Sequence, residues 1–152
     1  MPDGYQNIYK AARRAAGITQ ERAAELLCVS VRSLADYETG QRIPPNDVID
    51  RMSTIYDNVA LGIQHIRETN KLMARVVPEL EERSLREVTM RIYNRMIRFY
   101  RDHKLDRLME IAEDDQIDDK ERPEHDEIIS ELREIIQSGM ELDVFFGEKK
   151  GE

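Results

Sequence analysis

Between Thr19 and Pro45 the chain reads "TQERAAELLCVSVRSLADYETGQRIPP". Thr19 and Ser30 each stand just before a short run of helical apolar spacing. A hydroxyl there caps a helix, because its oxygen accepts one of the free N–H groups of the first turn. The two caps frame a helix over Gln20 to Leu27, a tight turn, and a second helix over Val31 to Glu38 closed by Gly40. Helices this short are marginal alone and must pack on each other. Ala23 and Ala24 are small enough to let the second cross closely over the first, and Leu34 is spaced to lie beneath them. Leu27 and Tyr37 face inward, and Val29 pins the turn.

The rest of the chain follows the same period, and no stretch alternates as a strand does. A first helix is expected over Tyr5 to Ala16, with Ile8, Ala11, Ala12 and Ala15 inward and Gly17 as its left-handed cap. Pro44 and Pro45 open a fourth helix, which buries Val48, Ile49, Met52 and Ile55. Asp57 or Asn58 caps a fifth, ending near Arg67. Residues 68–83 read as a linker, with one or two helical turns around Lys71 to Val76. "SLRE" at Ser84 to Glu87 is a capping box, in which hydroxyl and carboxylate each take a free N–H. Leu85, Val88, Ile92, Met96 and Phe99 continue as one stripe. Leu105, Leu108 and Ala112 form another, out of step, so a bend is expected near Asp102 to Lys104. A last helix runs from about Asp119 to Ser138, and residues 147–152 read as a disordered tail. The expected division is 1–67, linker 68–83, an acidic helical domain 84–146, and the tail.

The 152 residues carry a net charge of -8. Residues 1–66 hold seven Lys/Arg and eight Asp/Glu, while 67–152 hold sixteen and twenty-three, so the acidity lies in the C-terminal part. Forty per cent of residues are apolar, enough for a core. No run has the length of a membrane span, "MPDGYQNIYK" lacks the apolar centre of a secretory signal, and the single cysteine excludes an internal disulfide. A cytoplasmic protein is expected. No nucleophile elbow, glycine-rich phosphate loop or HExxH motif is present, so no enzyme and no cofactor is expected.

Thr19-Gln20, Ala24, Val29-Ser30, Leu34 and Glu38-Thr39-Gly40 resemble the Cro/C1-type helix-turn-helix family, often called the Xre family, over roughly Ile8 to Ile66. Residues 108–136, "LMEIAEDDQIDDKERPEHDEIISELREII", are more loosely similar to the C-terminal part of small phage-encoded regulators of Firmicutes. The resemblance implies an all-α protein: a five-helix helix-turn-helix domain, then a helical dimerisation segment. It implies a double-stranded DNA operator as partner. Val31, Arg32, Ser33 and Asp36 would face base edges, and Thr19, Gln20, Gln41 and Arg42 would meet phosphates, with the amides after Gly40 helping. Arg32 suits guanine, since its guanidinium bonds O6 and N7 together, and Val31 suits a thymine methyl. Asp36 would orient Arg32 or accept from cytosine N4. Arg13 would pair with Glu38 structurally. Cys28 stands where the family usually has glycine, so a strained left-handed backbone is expected there.

Few cations back this surface, so a dimer with recognition helices roughly 34 Å apart is expected. Ile128, Ile129, Leu132, Ile135 and Ile136 make a double apolar stripe suited to it. The competing reading is an adaptor or antitoxin whose acidic helices bind a partner protein; a protein anti-repressor is a further partner to expect. Arg91, Arg95 and Arg98 recur at helical spacing and suit a face paired with the acidic segment better than a second nucleic-acid surface. The acidic run 113–125 fails as a calcium loop, because Asp119 stands where glycine is needed and His125 where glutamate is. Asp118 and Glu121 read instead as a capping box, and no metal is expected.

Overall fold

The computed structural model describes residues 7–147. All their regular elements are helices: α1 (Ile8–Ala15), α2 (Gln20–Leu26), α3 (Val31–Glu38), α4 (Asn46–Ile55), α5 (Leu61–Thr69), α6 (Lys71–Val76), α7 (Leu85–Arg101), α8 (Lys104–Ile111) and α9 (Arg122–Phe146). The chain divides into two compact units, Met1–Val77 and Pro78–Glu152. The fold class is all-α.

In the first unit, four helices end in the same way. After α1, α2, α3 and α4 the chain turns left-handed at Gly17, Cys28, Gly40 and Asp57. Each time two N–H groups reach back to the last turn: Gly17 to Arg14 and Ile18 to Arg13, Cys28 to Glu25 and Val29 to Ala24. Gly40 reaches Tyr37 and Gln41 reaches Asp36, while Asp57 reaches Thr54 and Asn58 reaches Ser53. This double bond satisfies carbonyls that a helix end otherwise leaves open. Asp57 and Asn58 therefore close α4 rather than cap α5, which starts three residues later with no side-chain cap. Pro45 occupies the cap position before α4, and buried Pro44 precedes it, so both prolines lie just outside that helix.

The core of this unit joins α1 to α5 through Leu27, Leu34, Tyr37, Met52, Tyr56 and Leu61. Ala23 and Ala24 are buried at the α2–α3 crossing, and Val29 packs against the core from the turn. Asn7 caps α1 and also donates to the Tyr37 carbonyl at 2.9 Å. The expected start at Tyr5 falls outside the described residues. The inward face of α1 is Tyr9, Ala12 and Arg13, and Ala15 is exposed. Of the expected stripe, Ala12 is buried and Ile8 packs against the core, but Tyr9 and Arg13, which Glu38 draws inward, were left out. Tyr9 Oη lies 2.8 Å from Nδ1 of buried His65 on α5. After Asn70, which caps α6, Arg67 donates to the Val77 carbonyl.

In the second unit, Ser84 and Glu87 form the capping box of α7. A left-handed His103 makes the bend before α8. Val88 and Phe99 are buried with Ile92 beside them, but Leu85 and Met96 are exposed. On α8, Ile111 and Leu108 meet the core, while Leu105 and Ala112 face out. The apolar period was right in both helices, and the expected face held at Val88, Ile92, Phe99 and Leu108 but not at Leu85, Met96, Leu105 and Ala112. Arg91 and Arg95 are half-buried beside that stripe. Asp118 Oδ1 accepts from Lys120 and Glu121 N–H, and Glu121 accepts from Asp118 N–H at 3.2 Å, which is the expected box.

The last helix runs to Phe146, well past Ser138. Gly139 inside it costs about 1 kcal/mol relative to alanine. Tertiary bonds offset that: Gln137 donates to the Glu79 carbonyl at 2.8 Å, and fully buried Glu141 accepts from the Glu81 N–H at 3.3 Å. Gly147 ends the helix, and residues 148–152 of the expected tail lie outside the described residues.

Candidate nucleic-acid interface

Arg13 on α1 reaches the last residue of α3. Its Nε and Nη2 donate to the two Glu38 carboxylate oxygens at 2.5 and 2.9 Å, and Nη1 donates to the Ile18 carbonyl at 2.7 Å. A two-pronged bond of this kind fixes direction as well as distance. The Glu38 bond is the main reason the Arg13 guanidinium binds its proton more tightly than usual, against the opposing effect of burial. Gln20 joins the pair, donating from Nε2 to Glu38 Oε2 at 3.0 Å. Tyr56 sits near this charge with its hydroxyl buried and unbonded. Burial first, and the Glu38 charge second, push its pKa up to about 12. The network ties the start of α2 to the end of α3, and so sets the angle at which α3 is presented.

The first turn of α3 is the exposed part of that helix. Val31 and Arg32 face solvent. Ser33 is half-buried, its hydroxyl 2.9 Å from that of Ser30, which also caps the helix. Asp36 is half-buried one turn later, and among the described residues no ion pair joins it to Arg32. The expected orienting contact is thus not formed in this structure. Thr19 is exposed and accepts the Arg22 N–H as the cap of α2.

Beyond α3, the amides of Gln41 and Arg42 both donate to the Asp36 carbonyl, at 2.9 and 3.2 Å. The expectation that amides after Gly40 serve a phosphate is corrected for these two, because the helix end uses them. Their side chains remain exposed, and the Arg42 guanidinium lies 5.7 Å from the centre of the Tyr37 ring. A cation over an aromatic face is held in place at small cost.

Val31, Arg32, Gln41 and Arg42 are thus exposed at the two ends of α3, with Gln20 tied to that helix through Glu38. Residues 10–63, well under half of the chain, match the family described as Helix-turn-helix. The chain carries a helix-turn-helix domain. That domain supports a DNA-binding transcription regulator. No curated protein and no solved structure matches the chain.

The residues expected at a dimer seam separate. Ile128 is fully buried, and Leu132 and Ile135 pack against the same core with Phe99 and Ile111. Ile129 is half-buried and Ile136 exposed. Among the described residues no three His, Cys, Asp or Glu side chains are grouped to hold a metal ion, and no helix is long and apolar enough to cross a membrane. Tyr56, and the contact of Tyr9 with His65, went unnoticed in the sequence. Tyr9 and His65 are 56 positions apart, and no local pattern links them.

Proposed function

We propose that this chain is a sequence-specific, double-stranded DNA-binding transcriptional regulator of the cytoplasm that binds its operator as a dimer. The single observation that carries the reading is the exposed first turn of α3, held at a fixed angle by the Arg13–Glu38–Gln20 network. Val31 and Arg32 read base edges, Ser33 reaches base or backbone, and Asp36, unpaired with Arg32, accepts from cytosine N4. Thr19, Gln20, Gln41 and Arg42 meet phosphates through their side chains. Gln20 is the informative one: one of its amide hydrogens goes to Glu38, and its other hydrogen then points to a phosphate in a fixed direction. The acidic second unit keeps non-specific DNA contact low, since like charge repels. A phage or mobile-element origin rests only on the resemblance of residues 108–136.

Selection of bound fragments from random duplex DNA tests the proposal. A recovered motif with two similar half-sites, about one helical turn apart, is the expected result. Recovery of no motif, together with binding that lacks sequence preference, moves the adaptor or antitoxin reading ahead. That reading places function on the acidic helices of the second unit.

A further inference from the structure

The arginines that α7 turns inward leave its opposite face apolar. Met90, Tyr93, Met96, Ile97 and Tyr100 are 49–78% exposed. Four of them, Met90, Tyr93, Ile97 and Tyr100, follow each other at steps of three, four and three residues, the spacing of a helix–helix seam. The arginines between them lie on the other side: Arg95 and Arg98 pair with Glu134, and Arg91 is half-buried. We infer that this outer face of α7 is the surface on which a second copy of the chain docks.

Area selects that occupant. The five side chains expose on the order of 600 Å², at the top of what a typical monomer shows in one patch. Two copies face to face would then cover about 1,200 Å², where specific interfaces begin. The seam positions themselves are uncharged, while Arg98 beside them and Arg101 just past Tyr100 are 50% and 71% exposed. A twofold contact brings the uncharged seam against its own equivalent and leaves the arginines at its border near water. Two tyrosines add rings that pack broadly and keep a hydroxyl at the wet edge. The isoleucines of α9 offer less, because Ile128, Leu132 and Ile135 are already inside the unit.

This inference rests on the dimer part of the proposed function and gives it a place. Its test needs no DNA, so it fails or stands apart from the reading of bases. Sedimentation of the full chain is compared with Ile97→Lys and Ile136→Lys, both at exposed positions. Ile97→Lys should weaken self-association at least about tenfold, since it sets a charge in an apolar contact, and Ile136→Lys should leave it unchanged. The chain has no tryptophan, so Tyr100→Trp supplies a local reporter. Its emission should shift to the blue as concentration rises through the association range. A monomeric wild-type chain overturns the inference. So does a dimer that Ile136→Lys dissolves and Ile97→Lys does not, or a Tyr100→Trp emission that does not change on association.

Discussion

Arg13 and Arg95 are both drawn inward from a helix surface, one in each unit, and they meet different company. Arg13 finds both oxygens of Glu38, whose side chain is 2% exposed. Arg95 finds the Glu134 carbonyl at 2.5 Å, the Ser138 hydroxyl, and a Glu134 carboxylate that is 47% exposed. The consequences have opposite signs. The Glu38 bond raises Arg13 above its ordinary value, while burial, followed by the nearby Arg91 charge, lowers Arg95. Among the described residues, the second unit also buries Arg83 Nε, Arg91 Nε, Glu131 Oε2 and Glu141 Oε2 with no hydrogen bond, whereas the first leaves the Tyr56 hydroxyl so. In the first unit, apolar groups are inside and the exposed polar ones can meet a ligand. In the second, α7 holds half-buried arginines beside buried Val88 and Phe99 and leaves large apolar side chains exposed. That exposed apolar surface fits a unit that belongs against another molecule.

The sharpest way to break this contrast is to make the same change on both sides. Arg13→Met should cost about 3–5 kcal/mol, because it strands a buried carboxylate. Arg95→Met should cost no more than about 1 kcal/mol, because Glu134 can turn to water and Ser138 keeps its bond to the Glu134 carbonyl at 3.2 Å. Amide hydrogen exchange in the full chain, read unit by unit, measures both. Equal costs would erase the difference between the two arginines.

The next effect is a pH dependence confined to the first unit. Burial holds the His65 ring below its ordinary value, against a raising effect from Glu68. The unfolded chain therefore takes up the proton first. The His65 contribution is complete above the ordinary histidine value of about 6.5 and is lost as pH falls below it. Melts of the full chain across that range should show the first unit losing stability on acidification, and His65→Gln should flatten the loss. A unit that gains stability on acidification would mean a charged His65 in the fold.

The smallest effect is at the turn. Cys28 has φ of 54° and an exposed thiol. Cys28→Gly relieves a left-handed non-glycine residue and adds freedom to the unfolded chain, so the two terms nearly cancel. Thermal melting should be unchanged or up to about 1 kcal/mol better. A clear loss would show that the thiol is packed in solution.

These cases also mark what was readable in the sequence. Caps were, because Thr19, Ser30, Ser84 with Glu87, and Asp118 with Glu121 act within four residues of themselves. The left-handed turns at Gly17, Cys28 and Gly40 were too. Asp57 was misread because aspartate suits both a helix start and a left-handed end. The α7 stripe was right at Val88, Ile92 and Phe99 and wrong at Leu85 and Met96, because apolar period does not say where the core ends. Arg91, Arg95 and Arg98 were read as a face paired with the acidic segment, and Arg95 and Arg98 do meet Glu134, but the partial burial of Arg91 and Arg95 was not read. At the candidate site, Arg13 and Glu38 stood out by their place in a known pattern. Gln20 bonding Glu38, and Tyr56 beside them, depend on packing between helices far apart in sequence.

The central claim is that α3 reads bases while the segment after it holds the backbone. One titration tests it: wild type, Arg32→Ala and Arg42→Ala, on the selected duplex, its single-base variants and across salt. Arg32→Ala should cost about 1–3 kcal/mol on the preferred sequence and relax preference at one position per half-site. Arg42→Ala should weaken all sequences alike and lower the salt slope by about one. Uniform loss in both would make Arg32 a phosphate contact and contradict the account of readout. No change in either would mean that the exposed end of α3 is not the DNA surface.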